Sequence, residues 1–303
     1  MKKNILMVIG VVFILFMGWY FLIKSADYTI TFNVKAATGP VFQGIEEWST
    51  AQTKNNQENY EVVEKKNYEL IRQKISKGSN QLEYTWNIKS LNDSTTKVVI
   101  DIKDHKNSWY NKLTVPFMET PFKQSQIKRI KEFKTGLEDH LKLFKVKLEG
   151  EGETAPVYVA YLSLKSVMQQ KAQTMIANDG IITGYLHNNN IKIIGKPYAE
   201  ITRWDRDKEL VEFNYCFPVS KQAKVVPHQQ VKFKTIESVK GLKATYFGNF
   251  RTSDRAWFAL LDHAKRNGIE LENRVLENFL ANPFNGGNEL EWETKVIIPF
   301  SAN

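Results

Sequence analysis

Leu242-Lys243-Ala244-Thr245-Tyr246-Phe247 is followed by Trp257, Leu260, Leu261 and Ala264 at helical spacing, and then by Asn267-Gly268-Ile269. The first stretch reads as a strand, the second as one face of a helix and the third as the stop of that helix. The same order occurs earlier in the chain. Val157–Leu162 reads as a strand, Val167, Met168, Ala172, Met175 and Ile176 as a helix face, and Asp179-Gly180-Ile181 as its stop. Gly180 and Gly268 lie 88 residues apart, and the strand-ending prolines of Tyr215-Cys216-Phe217-Pro218 and Ile297-Ile298-Pro299-Phe300 lie 81 apart. Two βαββ units therefore follow one another, at 156–220 and 231–303, and a duplicated unit of this kind builds one site between its copies.

Working outward, Glu149-Gly150-Glu151-Gly152-Glu153-Thr154-Ala155-Pro156 has the glycine, proline and charge content of a bridge between domains, so 149–155 is read as a linker. The domain before it spans 27–148. It opens with Tyr28-Thr29-Ile30-Thr31-Phe32-Asn33-Val34, whose alternation is that of a half-buried strand. Gly39-Pro40 starts a helical stretch carrying Val41, Phe42, Ile45 and Trp48, and the polar run Ala51 to Asn59 reads as a loop. Leu82–Ile88 and Lys97–Ile102 alternate on either side of Asn92-Asp93-Ser94, the pattern of a hairpin. A long amphipathic helix follows from about Pro121 to Lys147, with Ile127, Ile130, Phe133, Leu137, Leu141 and Phe144 on one stripe. The fold class is α+β throughout.

The first 26 residues read as a membrane anchor. Ile5 to Ile23 is a run of nineteen uncharged residues between Lys2-Lys3 and Lys24, with Trp19-Tyr20 near its end. As one helix it would reach about 28 Å. The alternative is a signal peptide cut near Ser25-Ala26. Two lysines before the span against one after it favour a globular part on the outer, periplasmic or extracellular, side.

Composition narrows the function. The chain of 303 residues is 42% hydrophobic and 25% charged, which excludes collagen-like, coiled-coil and wholly disordered classes. A single cysteine, Cys216, excludes a disulfide framework and a zinc ribbon. The net charge is 42 − 33 = +9, and it is spread along the chain rather than concentrated as in a nucleic-acid binder, so no nucleic-acid partner is expected. His105, His140, His187, His228 and His263 are scattered, and no Walker A, G-x-S-x-G or G-x-G-x-x-G pattern occurs. No catalytic residue, metal or cofactor is assigned.

Two resemblances add to this reading. Tyr28 to Lys147, through its opening strand, Ala36-Ala37-Thr38-Gly39-Pro40-Val41-Phe42 and Trp48, resembles the START-like, helix-grip family that includes the polyketide cyclases. That resemblance implies a curved antiparallel sheet wrapped on a long C-terminal helix around an apolar cavity. The departure is the polar Gln52–Asn59 stretch, where that family has an acidic and aromatic turn.

Pro156 to Phe300 resembles the gyrase-inhibitor-like effector-binding family, found behind the DNA-binding domains of AraC-type and multidrug-responsive MerR-type activators. The residues that carry this are Gly195-Lys196-Pro197-Tyr198-Ala199, Phe213–Val219, Gly248, Glu277–Pro283 and Glu293–Pro299. The chain departs in having Thr294-Lys295 where Thr-Glu is common, and no helix-turn-helix precedes the unit. The resemblance implies a cleft between the copies in which Glu277 attracts lipophilic cations.

A carboxylate in an apolar cleft keeps its charge only with a compensating cation, and aromatic walls add cation–π attraction. Tyr198, Trp204, Tyr215, Tyr246, Phe279 and Trp292 are the candidate walls. The sequence thus predicts a membrane-anchored protein that senses or sequesters small amphipathic, cationic ligands. Its partners are that ligand and the membrane, through residues 5–23. The alternatives are hydrolysis of a reactive small molecule at the same cleft, or a non-enzymatic cell-surface interaction module. Oligomeric state is left open.

Overall fold

The apolar N-terminal stretch forms an α-helix, α1 (Lys2–Gly18), in the computed structural model, which describes residues 2–56, 58–281 and 286–301. The membrane span expected there does not form as one continuous helix. The α-helix is 17 residues long, or about 26 Å against a hydrocarbon core of about 30 Å. Trp19–Ile23 continue in π-helical geometry. Here the Tyr20 hydroxyl donates to Lys112 O at 2.9 Å and the Phe21 ring stacks on Trp109 at 5.0 Å, so these residues are held by the protein itself. Among the described residues no helix is long and apolar enough to cross a membrane. That overturns the anchor, the membrane as partner, and the outward placement that depended on the anchor.

The chain divides into two units, Met1–Leu91 with Thr95–Glu138, and Asn92–Ser94 with Asp139–Asn303. The first contains β1 (Tyr28–Val34), α2 (Thr38–Asn56), β2 (Asn59–Lys66), β3 (Leu70–Lys77), β4 (Asn80–Asn92), β5 (Thr95–Asp104), α3 (Ser108–Thr114) and α4 (Pro121–Leu141). Its sheet has the order β1-β5-β4-β3-β2. Helix α2 runs on through Ala51–Asn56, which reads as loop in the sequence. Ala51, Thr53 and Lys54 are exposed there, and Ala, Gln and Lys are sound helix formers that need no buried face to continue a helix already nucleated.

The interior of this sheet is filled with rings. Trp86 and Tyr84 are fully buried, and Trp48, Trp86 and Phe133 meet pairwise at 5.1 to 5.9 Å. Aromatic packing thus occupies the place where the helix-grip resemblance implies a cavity. A shallow groove of about 310 Å³ remains at the surface between α2, β2 and β3.

The second unit contains β6 (Phe144–Glu153), β7 (Val157–Val167), α5 (Lys171–Asn188), β8 (Tyr198–Asp205), β9 (Leu210–Pro218), β10 (Lys232–Ile236), β11 (Lys240–Gly248), α6 (Asp254–Asn267), β12 (Val275–Phe279) and β13 (Glu293–Pro299). The eight strands form one sheet in the order β10-β7-β9-β8-β12-β13-β11-β6. The two βαββ copies are β7-α5-β8-β9 and β11-α6-β12-β13, and they join edge to edge where β8 pairs antiparallel with β12. Strand β6 precedes the first copy in sequence but pairs with β11 of the second. Strand β10 precedes the second copy but pairs with β7 of the first.

Strand β6 also corrects two readings of the sequence. The long helix ends at Leu141 rather than Lys147, because Phe144, Val146 and Leu148 fit a period of two and alternate with exposed residues in a strand. The glycines that suggest a linker belong to an irregularity in this edge strand. The register against β11 shifts between Lys243 and Ala244, and Gly150 adopts φ +83° there, a conformation glycine takes at little cost.

The two glycine stops also differ. Gly268 caps α6 in the left-handed conformation at φ +66°. Gly180 stops nothing: α5 continues to Asn188, because Ile182, Tyr185 and Leu186 extend its buried face past the glycine.

Candidate functional site

Glu277 is the middle residue of β12, the strand at the junction of the two copies. Its ladder partners are Ala199 on β8 and Val296 on β13, and Ala199 in turn faces Tyr215 on β9. Directly opposed residues share a face of an antiparallel sheet. Glu277, Ala199, Tyr215 and Val296 therefore make one row across both copies. The row has small or medium side chains on either side of the carboxylate, which leaves room for groups delivered from above.

Three such groups arrive. Lys171, the first residue of α5, is placed by the short 3-10 turn Met168–Gln170 that follows β7. Its Nζ donates to Glu277 Oε2 and to Ser253 Oγ, the latter at 3.0 Å. Trp257, on α6, donates from Nε1 to Glu277 Oε1 at 2.8 Å, and its ring lies 4.5 Å below the same Lys171 ammonium. Ser253 donates its own hydroxyl to Phe250 O at 3.0 Å. The lysine and glutamate side chains are 2% and 0% exposed, so the pair is enclosed. Both carboxylate oxygens are occupied, one by a cation and one by an indole N–H.

This alters the expected electrostatics. An unpaired Glu277 would demand an external cation, but the chain supplies its own from 106 residues away. The buried charge is therefore already compensated within the chain, and Glu277 is not a free carboxylate in this structure.

The aromatic candidates divide by face. Trp204 packs edge-on against Trp257 at 5.2 Å and Phe258 at 5.8 Å, next to the polar pair. Tyr215 lies in the Glu277 row, and its hydroxyl donates to Asp179 at 2.8 Å; burial first, then the Asp179 charge, pushes its pKa well up. Phe279 and Tyr246 both oppose Thr294, which puts them on the Glu277 face one step along the strands. Phe279 packs edge-on against Phe250 at 5.9 Å. Tyr246 is fully buried, bonds to Thr252 at 2.6 Å, and has its pKa raised chiefly by burial.

Tyr198 opposes Cys216 and Asn278, so it lies on the other face of the sheet, where Asn278 Nδ2 donates to its hydroxyl at 3.0 Å. Trp292 precedes β13 at the edge of the face, with Nε1 donating to Gly286 O at 3.3 Å. Of the Glu277–Pro283 motif, Asn282 and Pro283 lie outside the described residues. Cys216 is fully buried, and burial raises its thiol pKa, as befits a small core residue.

Lys171, Ser253 and Trp257 are the site residues that the sequence reading did not select. In the sequence Trp257 reads as one residue of a helix face. Lys171 carried a signal: it lies four residues after Val167 and four before Met175, so a charged residue interrupts an apolar stripe.

No protein-family profile and no curated protein matches the chain. Among solved structures it is similar to the EcmrR C-terminal domain, at 13% identity and a TM-score of 0.43, over 53% of this chain and 99% of that one. It is similar to SAV2435 bound to tetraphenylphosphonium, at 10% identity and a TM-score of 0.37, over 52% and 94%. A hydrolase from Listeria innocua matches at 11% identity and a TM-score of 0.34, over 54% and 98%. These likenesses are distant and carry no ligand or activity over to this chain. The composite of membrane anchor, helix-grip domain and effector-binding domain read from the sequence is thus replaced by a two-unit α+β chain with two antiparallel sheets.

Proposed function

We propose that the second unit is a non-catalytic module that binds one small amphipathic molecule between its two βαββ copies. The polar centre of that site is the Lys171–Glu277 pair, and Trp204, Trp257, Tyr246 and Phe279 supply its apolar surroundings. The observation that supports this reading is the enclosed ion pair itself. A buried ion pair contributes little net stability compared with well-packed apolar side chains, so its place at the junction of a duplicated unit is better accounted for by recognition than by folding.

With its charges internally balanced, the pair is a dipole rather than a net charge. A ligand with an apolar body and one hydrogen-bonding group suits it, and net positive charge adds little. Because the pair is enclosed, binding requires the first turn of α5 or the Phe250–Thr252 turn to open, which makes the affinity depend on the population of the open form.

Thermal-shift titration of the full chain with lipophilic cations and matched neutral isosteres tests this, with tryptophan fluorescence in parallel. Saturable stabilisation is expected, with cation and isostere agreeing in Kd to within about threefold. Absence of saturable stabilisation by every compound, with unchanged fluorescence, would refute the proposal.

A further inference from the structure

We infer that Glu277, Ser253 and Trp257 form a preformed site for a primary ammonium group, and that Lys171 is its resident occupant, a tethered cation with which any external amine must compete. The inference rests on reading the second unit as a binding module, and it names how the site of that module is regulated.

The three walls are fixed without help from the lysine. Glu277 Oε1 is held by Trp257 Nε1 at 2.8 Å, which sets the plane of the carboxylate and aims Oε2 into the space taken by Nζ. Ser253 is fully buried, and its hydroxyl is committed as donor to Phe250 O at 3.0 Å, so it offers only lone pairs towards that space. The Trp257 ring presents its negative face at 4.5 Å. One anionic acceptor, one neutral acceptor and one aromatic face match the three N–H bonds and positive charge of R–NH3+.

The occupant differs from its walls in how it is attached. Lys171 belongs to the first copy, Ser253 and Glu277 to the second, and the tether is the flexible lysine stem at the first residue of a helix. A tethered group acts at an effective concentration far above that of a free amine, so the resident lysine masks the affinity of the site for external ammonium. Removing the stem and leaving the walls unmasks it.

The decisive experiment uses the full chain with Lys171→Ala, which deletes the equivalent of n-propylammonium. Thermal unfolding and tryptophan fluorescence are followed against n-propylammonium and n-propanol, with the wild type alongside. The variant is expected to be stabilised saturably by n-propylammonium with an affinity at least about tenfold above that for n-propanol, while the wild type responds to neither. Equal response to amine and alcohol, or no saturable response in a folded variant, overturns the inference.

Should Lys171→Ala fail to fold, lysine-selective acylation read by mass spectrometry decides the matter on chains that keep the lysine. Lys171 is expected to be among the slowest to label in the wild type and at least about tenfold faster in Glu277→Gln, which loosens the occupant. Labelling of Lys171 at the same rate in both overturns the inference. The two proposals fail separately. Amine rescue without amphiphile binding by the wild type removes the binding function and keeps the ammonium site; amphiphile binding without rescue does the reverse.

Discussion

Replacing the two members of the buried pair singly and together, as Lys171→Met, Glu277→Gln and the double variant, should give strongly non-additive stabilities. Two unit charges in contact, about 3 Å apart at an effective dielectric of about 20, attract by about 5 kcal/mol before desolvation is counted. Removing one leaves the other enclosed and unpaired, at a cost of about 3–5 kcal/mol. Glu277→Gln strands the Lys171 ammonium against the Trp257 ring, and Lys171→Met strands a carboxylate with only the indole N–H and no cation. The double variant removes both charges, keeps side chains of similar length, and should lie within about 1–2 kcal/mol of the wild type. For a unit of this size each single change corresponds to a fall in Tm of about 6–20 °C. Calorimetry of the full chain, with fluorescence to mark the transition containing Trp204 and Trp257, provides the measurement. If the double variant lost the sum of the single losses to within about 0.5 kcal/mol, the two charges would not be coupled, and the argument built on the pair would fail.

Further outcomes follow from the same structure. Gly180→Ala should stabilise by about 0.5–1 kcal/mol and Gly268→Ala should destabilise by about 1 kcal/mol, both read by calorimetry, because each added Cβ meets open space and only the backbone conformation differs. Asp27 has its pKa raised, first by burial, although the Ser108 hydroxyl and Asp104 N–H oppose the rise. A raised acid pKa contributes stability that is present below the unfolded value and lost as pH rises through the folded one, so Asp27→Asn should gain on the wild type from acid towards neutral pH in parallel melts. Glu149 has the opposite sign: the Thr245 hydroxyl and Lys295 hold its pKa low. Its contribution is lost as pH falls through that lowered pKa, and Thr245→Val should flatten the acid arm of the stability curve.

The legibility of this fold in its sequence follows the range of the interactions. Strands β1, β4 and β5 announce themselves because a half-buried strand imposes period two on its own residues. The duplication is visible because it repeats local patterns. Helix ends are less legible: Gly180 and Gly268 present the same local signal, and the apolar residues beyond Gly180 decide that one helix continues. Phe144 satisfies a helical stripe and a strand alternation at once, and only pairing with β11 chooses between them. Glu277 could be singled out by its position, whereas its partner Lys171 comes from the other copy, through a contact that no local pattern encodes. The apolar N-terminal run illustrates the same limit, since hydropathy gave its length while the change of geometry at Trp19 and the docking of Tyr20 and Phe21 depend on α3.

The crossed pairing of β6 with β11 and of β10 with β7 bears on ancestry. Each βαββ copy borrows its outermost strand from the stretch of chain that leads into the other, so neither copy alone contains its complete share of the sheet. A single ancestral copy with the same leading strand would have completed its sheet only by trading that strand with an identical chain about a two-fold axis. Tandem duplication then converts an exchange between two molecules into one within a single gene product. Recombination that moved residues 156–303 without β6 would carry away a sheet whose β11 edge is bare.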